Sequence, residues 1–231
     1  MAQDGSTPGL QWSLCVYDDL IQTMREASWP FAANIVPHIV QHLNHSNPEV
    51  RQAACYGVGL MASHGGPEYY STCVNAMPML HAAISAPNSS EEEQVFATEN
   101  AISALGKMIK HLPKETYDYH GLVDFWVDAL PVTNDMEEAT AVYQLYLTLM
   151  EAGLPKIKNN LRKTALVLAE AICSGVIDME DKPSEEVKQL YLTLQQALKA
   201  CLHGIDANTK TALWSQLSEE YREELASLNI L

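Results

Sequence analysis

Apolar residues recur along this chain at spacings of three and four, the period of one face of an α-helix. The clearest instance runs from Phe31 to Gly66. Ile35, Ile39, Val40 and Leu43 make one stripe, and Val50, Ala53, Ala54, Val58 and Met61 make a second. Ser46-Asn47-Pro48 separates the two. Asn47 suits an N-cap, whose side-chain oxygen accepts a free backbone N–H of the next helix. Pro48 suits the first helical position, where its missing N–H costs nothing. This predicts two helices joined by a tight corner. One such pair cannot bury both stripes alone and must stack on neighbours like itself, which is the logic of a helical repeat.

The same pattern runs through the rest of the chain. From Gln11, a helix carries Leu14, Tyr17, Leu20, Ile21 and Met24 on one face and ends before Trp29-Pro30, while residues 1–9 read as a disordered leader. This helix is expected to be the second of a repeat whose first is missing, so its open face is a candidate for self-association. A third pair follows, with Pro78 inside its first helix as Pro37 was before. Glu91, Glu92 and Glu93 are placed in the first turn of its second helix, against the helix dipole. The next second helix starts at Asn134 as cap and stops at Gly153; another is capped by Ser184, and Ser218 caps a last amphipathic segment. Val50 and Val95 are about 45 residues apart, inside the range of such repeats. The expected fold is all-α, a right-handed α-solenoid of about five stacked helix pairs spanning residues 10–231.

Pro37, the Asn47-Pro48-x-Val50-Arg51 corner and the small Ala53 and Ala54 resemble the HEAT repeat. That resemblance implies that Val50 plugs the helix pair and that Arg51 joins a ladder of polar contacts between successive corners. Composition agrees with a packed helical chain: 47% of the 231 residues are apolar, and no stretch reaches the length of a membrane span. The five cysteines are scattered and odd in number, which fits small buried residues in a reducing compartment better than a disulfide framework. Net charge is −15, from 14 Lys plus Arg against 29 Asp plus Glu. A nucleic acid is thereby excluded as a natural partner, and a basic protein or peptide is favoured.

Particular strings go further. WSLCVYDD (Trp12 to Asp19), RQAACYGVGLMASHGGPEYY (Arg51 to Tyr70), ATENAISALGKMIKHLP (Ala97 to Pro113) and the ending LWSQLSEEYREELASL resemble importin-beta-type (karyopherin) nuclear transport receptors, in the karyopherin beta-3 or importin-five subclass. The resemblance covers most of the chain and is thinner after Pro113. Members of that family are several times longer, so the chain reads as a C-terminal HEAT-repeat portion of such a receptor. The resemblance implies nuclear import of proteins, between cytoplasm and nucleus through the nuclear pore. Its implied partners are cargo proteins with basic nuclear-localisation signals, such as ribosomal proteins or histones, and the Phe-Gly nucleoporins. Ran-GTP is a partner of the full-length receptor, with its main site in repeats absent here. A static HEAT scaffold subunit, of the phosphatase or chromatin type, is the alternative.

Candidate binding residues follow from charge and placement. Acids on the second helices are Glu91, Glu92, Glu93 and Glu99, with Asn100 beside the last, then Asp135, Glu137 and Glu138, and Glu185 and Glu186. Lining a concave face, they would attract a Lys/Arg-rich segment in a salt-dependent way. First-turn preference explains several of them equally well, but Glu99-Asn100 falls in mid-helix, where either cargo contact or an inter-repeat hydrogen bond accounts for it. Tyr69, Tyr70, Phe125 and Trp126 are candidates for lining Phe-Gly slots between first helices, or for simple core packing.

Other chemistry finds no support. Gly57-Val-Gly59-Leu-Met-Ala62 fits a loose dinucleotide fingerprint, but both glycines lie inside a helix and more naturally permit close packing. His38, His42 and His45 share a helix face without an acidic or cysteine partner nearby in sequence. There is no nucleophile elbow, no H-E-x-x-H and no catalytic cysteine–histidine pattern. The chain reads as a binding protein needing no cofactor, no metal and no membrane, and not as an enzyme.

Overall fold

The computed structural model describes residues 6–180 and 182–230, and every regular element among them is helical. Contacts divide the chain into two compact units, one ending at Ala129 and one beginning at Leu130. The boundary falls inside an expected helix pair, so its two helices belong to different units.

In the first unit, α1 spans Thr7–Met24. Ser6 caps it by accepting from the Gly9 N–H at 3.3 Å, with Pro8 in the first turn. Part of the expected leader 1–9 is helical, from Thr7, because the Ser6 cap and Pro8 suit a helix start; residues 1–5 lie outside the described residues. The buried stripe of α1 is Leu14, Asp18 and Ile21, so a carboxylic acid occupies a core position. A 3₁₀ stretch, Arg25–Phe31, leads into α2, Ala32–Val40. The corner then forms as its residues dictate: the Asn47 side chain accepts from the Val50 N–H at 3.1 Å and Pro48 opens α3, Pro48–Leu60. Val50 is fully buried. A π-turn, Met61–Gly65, and Gly66 at φ 76° end that helix, and only glycine takes such a φ without strain.

α4 spans Tyr70–Ile84, α5 spans Val95–His111 and α6 spans Tyr119–Ala129. α3 packs closely on both α1 and α5. Its glycines make that approach possible. A Cβ on Gly57 would press on the Asp18 carboxyl and come within 3.0 Å of Ile39, and one on Gly59 would come within 3.4 Å of the Ala104 backbone. The fingerprint-like glycines are thus packing residues.

In the second unit, α7 spans Met136–Glu151 and is capped by Asp135, one residue after the Asn134 the sequence suggested. The Asp135 carboxylate accepts from the Glu138 N–H at 3.1 Å. Gly153, at φ 74°, ends the segment as expected. A short turn, α8 (Pro155–Lys158), precedes α9 (Leu161–Cys173), which packs against α10 (Glu185–Gly204). Ser184 caps α10 by accepting from Val187. The tail, expected as one segment, is two helices, α11 (Ala207–Trp214) and α12 (Glu219–Ser227), because Asp206 and Ser218 each start a helix of their own. Both tail helices pack on α9.

Four of the five cysteines are buried and Cys15 is exposed; none is in a disulfide. No helix among the described residues is long and apolar enough to cross a membrane.

Candidate binding surfaces

The two corners of the first unit are tied together by Arg51. Its guanidinium donates to the His45 carbonyl at 2.6 Å and the Ser46 carbonyl at 3.0 Å, and also to the Gln94 side chain. Arg51 therefore ties its own corner to the link ahead of α5. A polar cavity of about 320 Å³ opens beside this bridge, bordered by Ser46, Arg51, Asn88, Gln94 and Thr98.

The link itself carries the acids. Helix α5 starts at Val95, so Glu91, Glu92 and Glu93 precede it instead of filling its first turn. The reason is local: Glu91 N–H bonds Asn88 and Gln94 N–H bonds Glu91, which makes successive tight turns, and Gln94 supplies no side-chain cap. All three carboxylates are exposed. Phe96, in the first turn of α5 and close in sequence to these acids, is 45% exposed. Sequence reading missed it because a lone phenylalanine in a helical stripe reads as core.

The remaining acidic candidates divide by burial. Glu99 and Asn100 are 2% and 3% exposed in α5, and Asn100 Nδ2 donates to the Phe96 carbonyl at 2.9 Å. They are buried in the helix packing, which does not fit direct cargo contact, and the Asn100 bond to Phe96 stays within α5 and does not join two repeats. Asp135 and Glu138 are buried at the start of α7, with Asp135 committed to the cap, while Glu137 is exposed.

The aromatic candidates divide likewise. Tyr69 is fully buried, its hydroxyl 2.8 Å from the Ser28 hydroxyl, and Trp126 is fully buried with its indole N–H donating to the Ile102 carbonyl at 2.9 Å. Large rings in a helix interface fill the space that small residues such as Gly106 leave, so these two are core and line no surface slot. Tyr70 and Phe125 are half-buried. Phe125, on α6, stacks on His81, on α4, with ring centroids 3.8 Å apart and planes 10° apart. Burial holds the His81 imidazole below its ordinary pKa, which favours the neutral ring in this stack.

The histidine trio does not converge. His42 Nδ1 donates to the His38 carbonyl at 2.6 Å, His45 Nδ1 accepts from the Asn47 N–H at 3.1 Å, and His38 stacks on Tyr17. No cluster of metal-ligating residues occurs among the described residues.

Comparison with known proteins matches the HEAT repeat to residues 35–65, the first complete corner. A probable importin-5 homolog of Dictyostelium discoideum is 25% identical over 198 residues, covering 81% of this chain and 18% of that protein. Importin subunit beta-3 of Saccharomyces cerevisiae is 27% identical over 167 residues, covering 72% of this chain and 14% of that protein. Among solved structures, Kap121p bound to the SUMO protease Ulp1p superposes with a TM-score of 0.77 at 22% identity, over 97% of this chain and 20% of that one. Kap121p bound to RanGTP superposes with a TM-score of 0.74 at 20% identity, over 94% of this chain and 19% of that one. The chain thus spans less than a fifth of the length of the curated relatives it matches. Its relatives are importins, and its fold is the all-α HEAT-repeat solenoid fold, as the sequence resemblance implied.

Proposed function

We propose that this chain is a segment of a nuclear transport receptor and acts by binding protein partners, not by catalysis. The observation that carries this reading is the alignment with importins over 72–81% of the chain. Kap121p, of the same fold, has a protein partner in Ulp1p, which supports a partner-binding role for repeats of this kind. The full-length protein would work between cytoplasm and nucleus at the nuclear pore, with Ran-GTP engaged mainly outside this segment.

Within the segment, the link before α5 is the cargo contact. Glu91, Glu92 and Glu93 supply exposed negative charge, and Phe96 supplies an exposed aromatic side chain. A Lys/Arg-rich segment fits this chemistry: it is steered by the acids and held by carboxylates and the ring. The Phe125–His81 stack, with Tyr70, is what remains of the aromatic candidates for a Phe-Gly contact.

The test is fluorescence anisotropy of a labelled Lys/Arg-rich peptide at low and physiological salt. Saturable binding that weakens with salt is expected, and replacing Glu91, Glu92 and Glu93 together by Lys should weaken it on the order of tenfold. These side chains are exposed, so the fold should survive. No saturable binding at either salt would overturn the cargo reading for this segment.

A further inference from the structure

The second unit carries a cavity of the opposite character to the acidic link. A space of about 830 Å³ opens between the C-terminal part of α10 and the helices α11 and α12. Leu202, Trp214 and Ile230 give it an apolar floor, and Lys199, Lys210 and Arg222 ring it, one from each of three helices. The volume lies within the range of about 300–1,000 Å³ typical of ligand sites.

Three features point to a ligand and not to idle surface charge. First, the chain has 29 acids for 14 Lys plus Arg, yet none of these three cations makes an ion pair or side-chain hydrogen bond among the described residues. Second, helix dipoles explain none of the three: Lys199 lies before the last turn of α10. Lys210 and Arg222 are each the fourth residue of a short helix, where no C-terminal dipole favours a cation. Third, Trp214 borders the cavity half-buried, so a large aromatic surface is left there for a ligand to cover.

We infer that this cavity binds an acidic peptide segment bearing one large apolar side chain. The apolar side chain seats on Leu202, Trp214 and Ile230, and flanking carboxylates meet Lys199, Lys210 and Arg222. Cations on three helices require charge at several points around one anchor, which a peptide presents and a ligand with a single carboxylate does not. A basic partner is repelled here, so this site and the acidic link before α5 select chains of opposite charge. The inference stands apart from the cargo reading, and each can fail without the other.

The test is anisotropy of a labelled short peptide with a central Phe among Asp and Glu residues, measured on the whole chain. Saturable binding is expected. The double variant K210E/R222E should weaken it on the order of tenfold or more, and placing alanine at the central position of the peptide should also weaken it. Lys210 is exposed and Arg222 half-buried, so an unchanged melting curve should accompany the loss. The double variant should leave binding of the Lys/Arg-rich peptide intact. Absence of saturable binding would overturn the inference. So would binding indifferent to K210E/R222E, or equal binding of the alanine peptide.

Discussion

Replacing Asp18 by Asn should stabilise the first unit at neutral pH and flatten its dependence on pH. Asp18 is 3% exposed in the stripe that α1 packs inward, and its Oδ1 atom has no hydrogen-bond partner. Burial, reinforced by the Asp19 charge, pushes the carboxyl from 3.8 up to about 8, against an opposing pull from Lys107. The folded chain therefore holds a proton that the unfolded chain releases between about pH 4 and pH 8. Because the unfolded state binds fewer protons across that window, stability falls with rising pH there, by about 1.4 kcal/mol per pH unit, and levels off above it. An amide neither ionises nor changes the shape of the side chain. Asp18→Asn should thus gain roughly 1–3 kcal/mol at pH 7, net of the cost of an unbonded buried amide. Urea unfolding at pH 5 and pH 7.5 checks this. An identical pH slope in the variant would show that Asp18 is ionised in the fold.

Replacing Trp126 by Ala should cost about 3–5 kcal/mol, the range for emptying a buried aromatic site. Trp126 is fully buried, donates its indole N–H to Ile102, and lies so close to Gly106 that a Cβ there would fall 3.1 Å from Nε1. The neighbouring glycine cannot fill the void, and the loss should appear in the first unit. Trp126→Phe should restore most of the packing and leave a cost of about 0.5–1.5 kcal/mol for the lost indole hydrogen bond, since the Ile102 carbonyl keeps its helical partner within α5. Denaturant midpoints of the two variants test this. Equal midpoints for wild type and Ala would return Trp126 to the list of surface-slot residues.

The features legible in the sequence are those set by neighbours in the chain. The Asn47-Pro48 corner, the Ser184 and Ser218 caps and the stop at Gly153 each depend on residues within one turn, so their chemistry reads directly. Arg51 was legible as a bridge because its partners lie at successive corners, which a repeat brings together. Other features depend on what another helix presents. Asp18 and Glu99 are charged residue types at buried positions, which helical periodicity assigns to the outside unless the facing helix is known. Trp126 and Tyr69 share helical spacing with surface aromatics, and only the neighbouring helices decide that they are core. Lys199, Lys210 and Arg222 form no run in the sequence, and three different helices gather them.

The proposed role rests most directly on where a basic segment lands. Hydrogen exchange of the backbone amides, with and without a Lys/Arg-rich peptide, measures that residue by residue. Slower exchange is expected over residues 88–96, with no direct contact at the buried Glu99 and Asn100. Protection confined to the cavity between α10, α11 and α12, or none at all under conditions where the peptide is in excess, would contradict cargo binding by the acidic link.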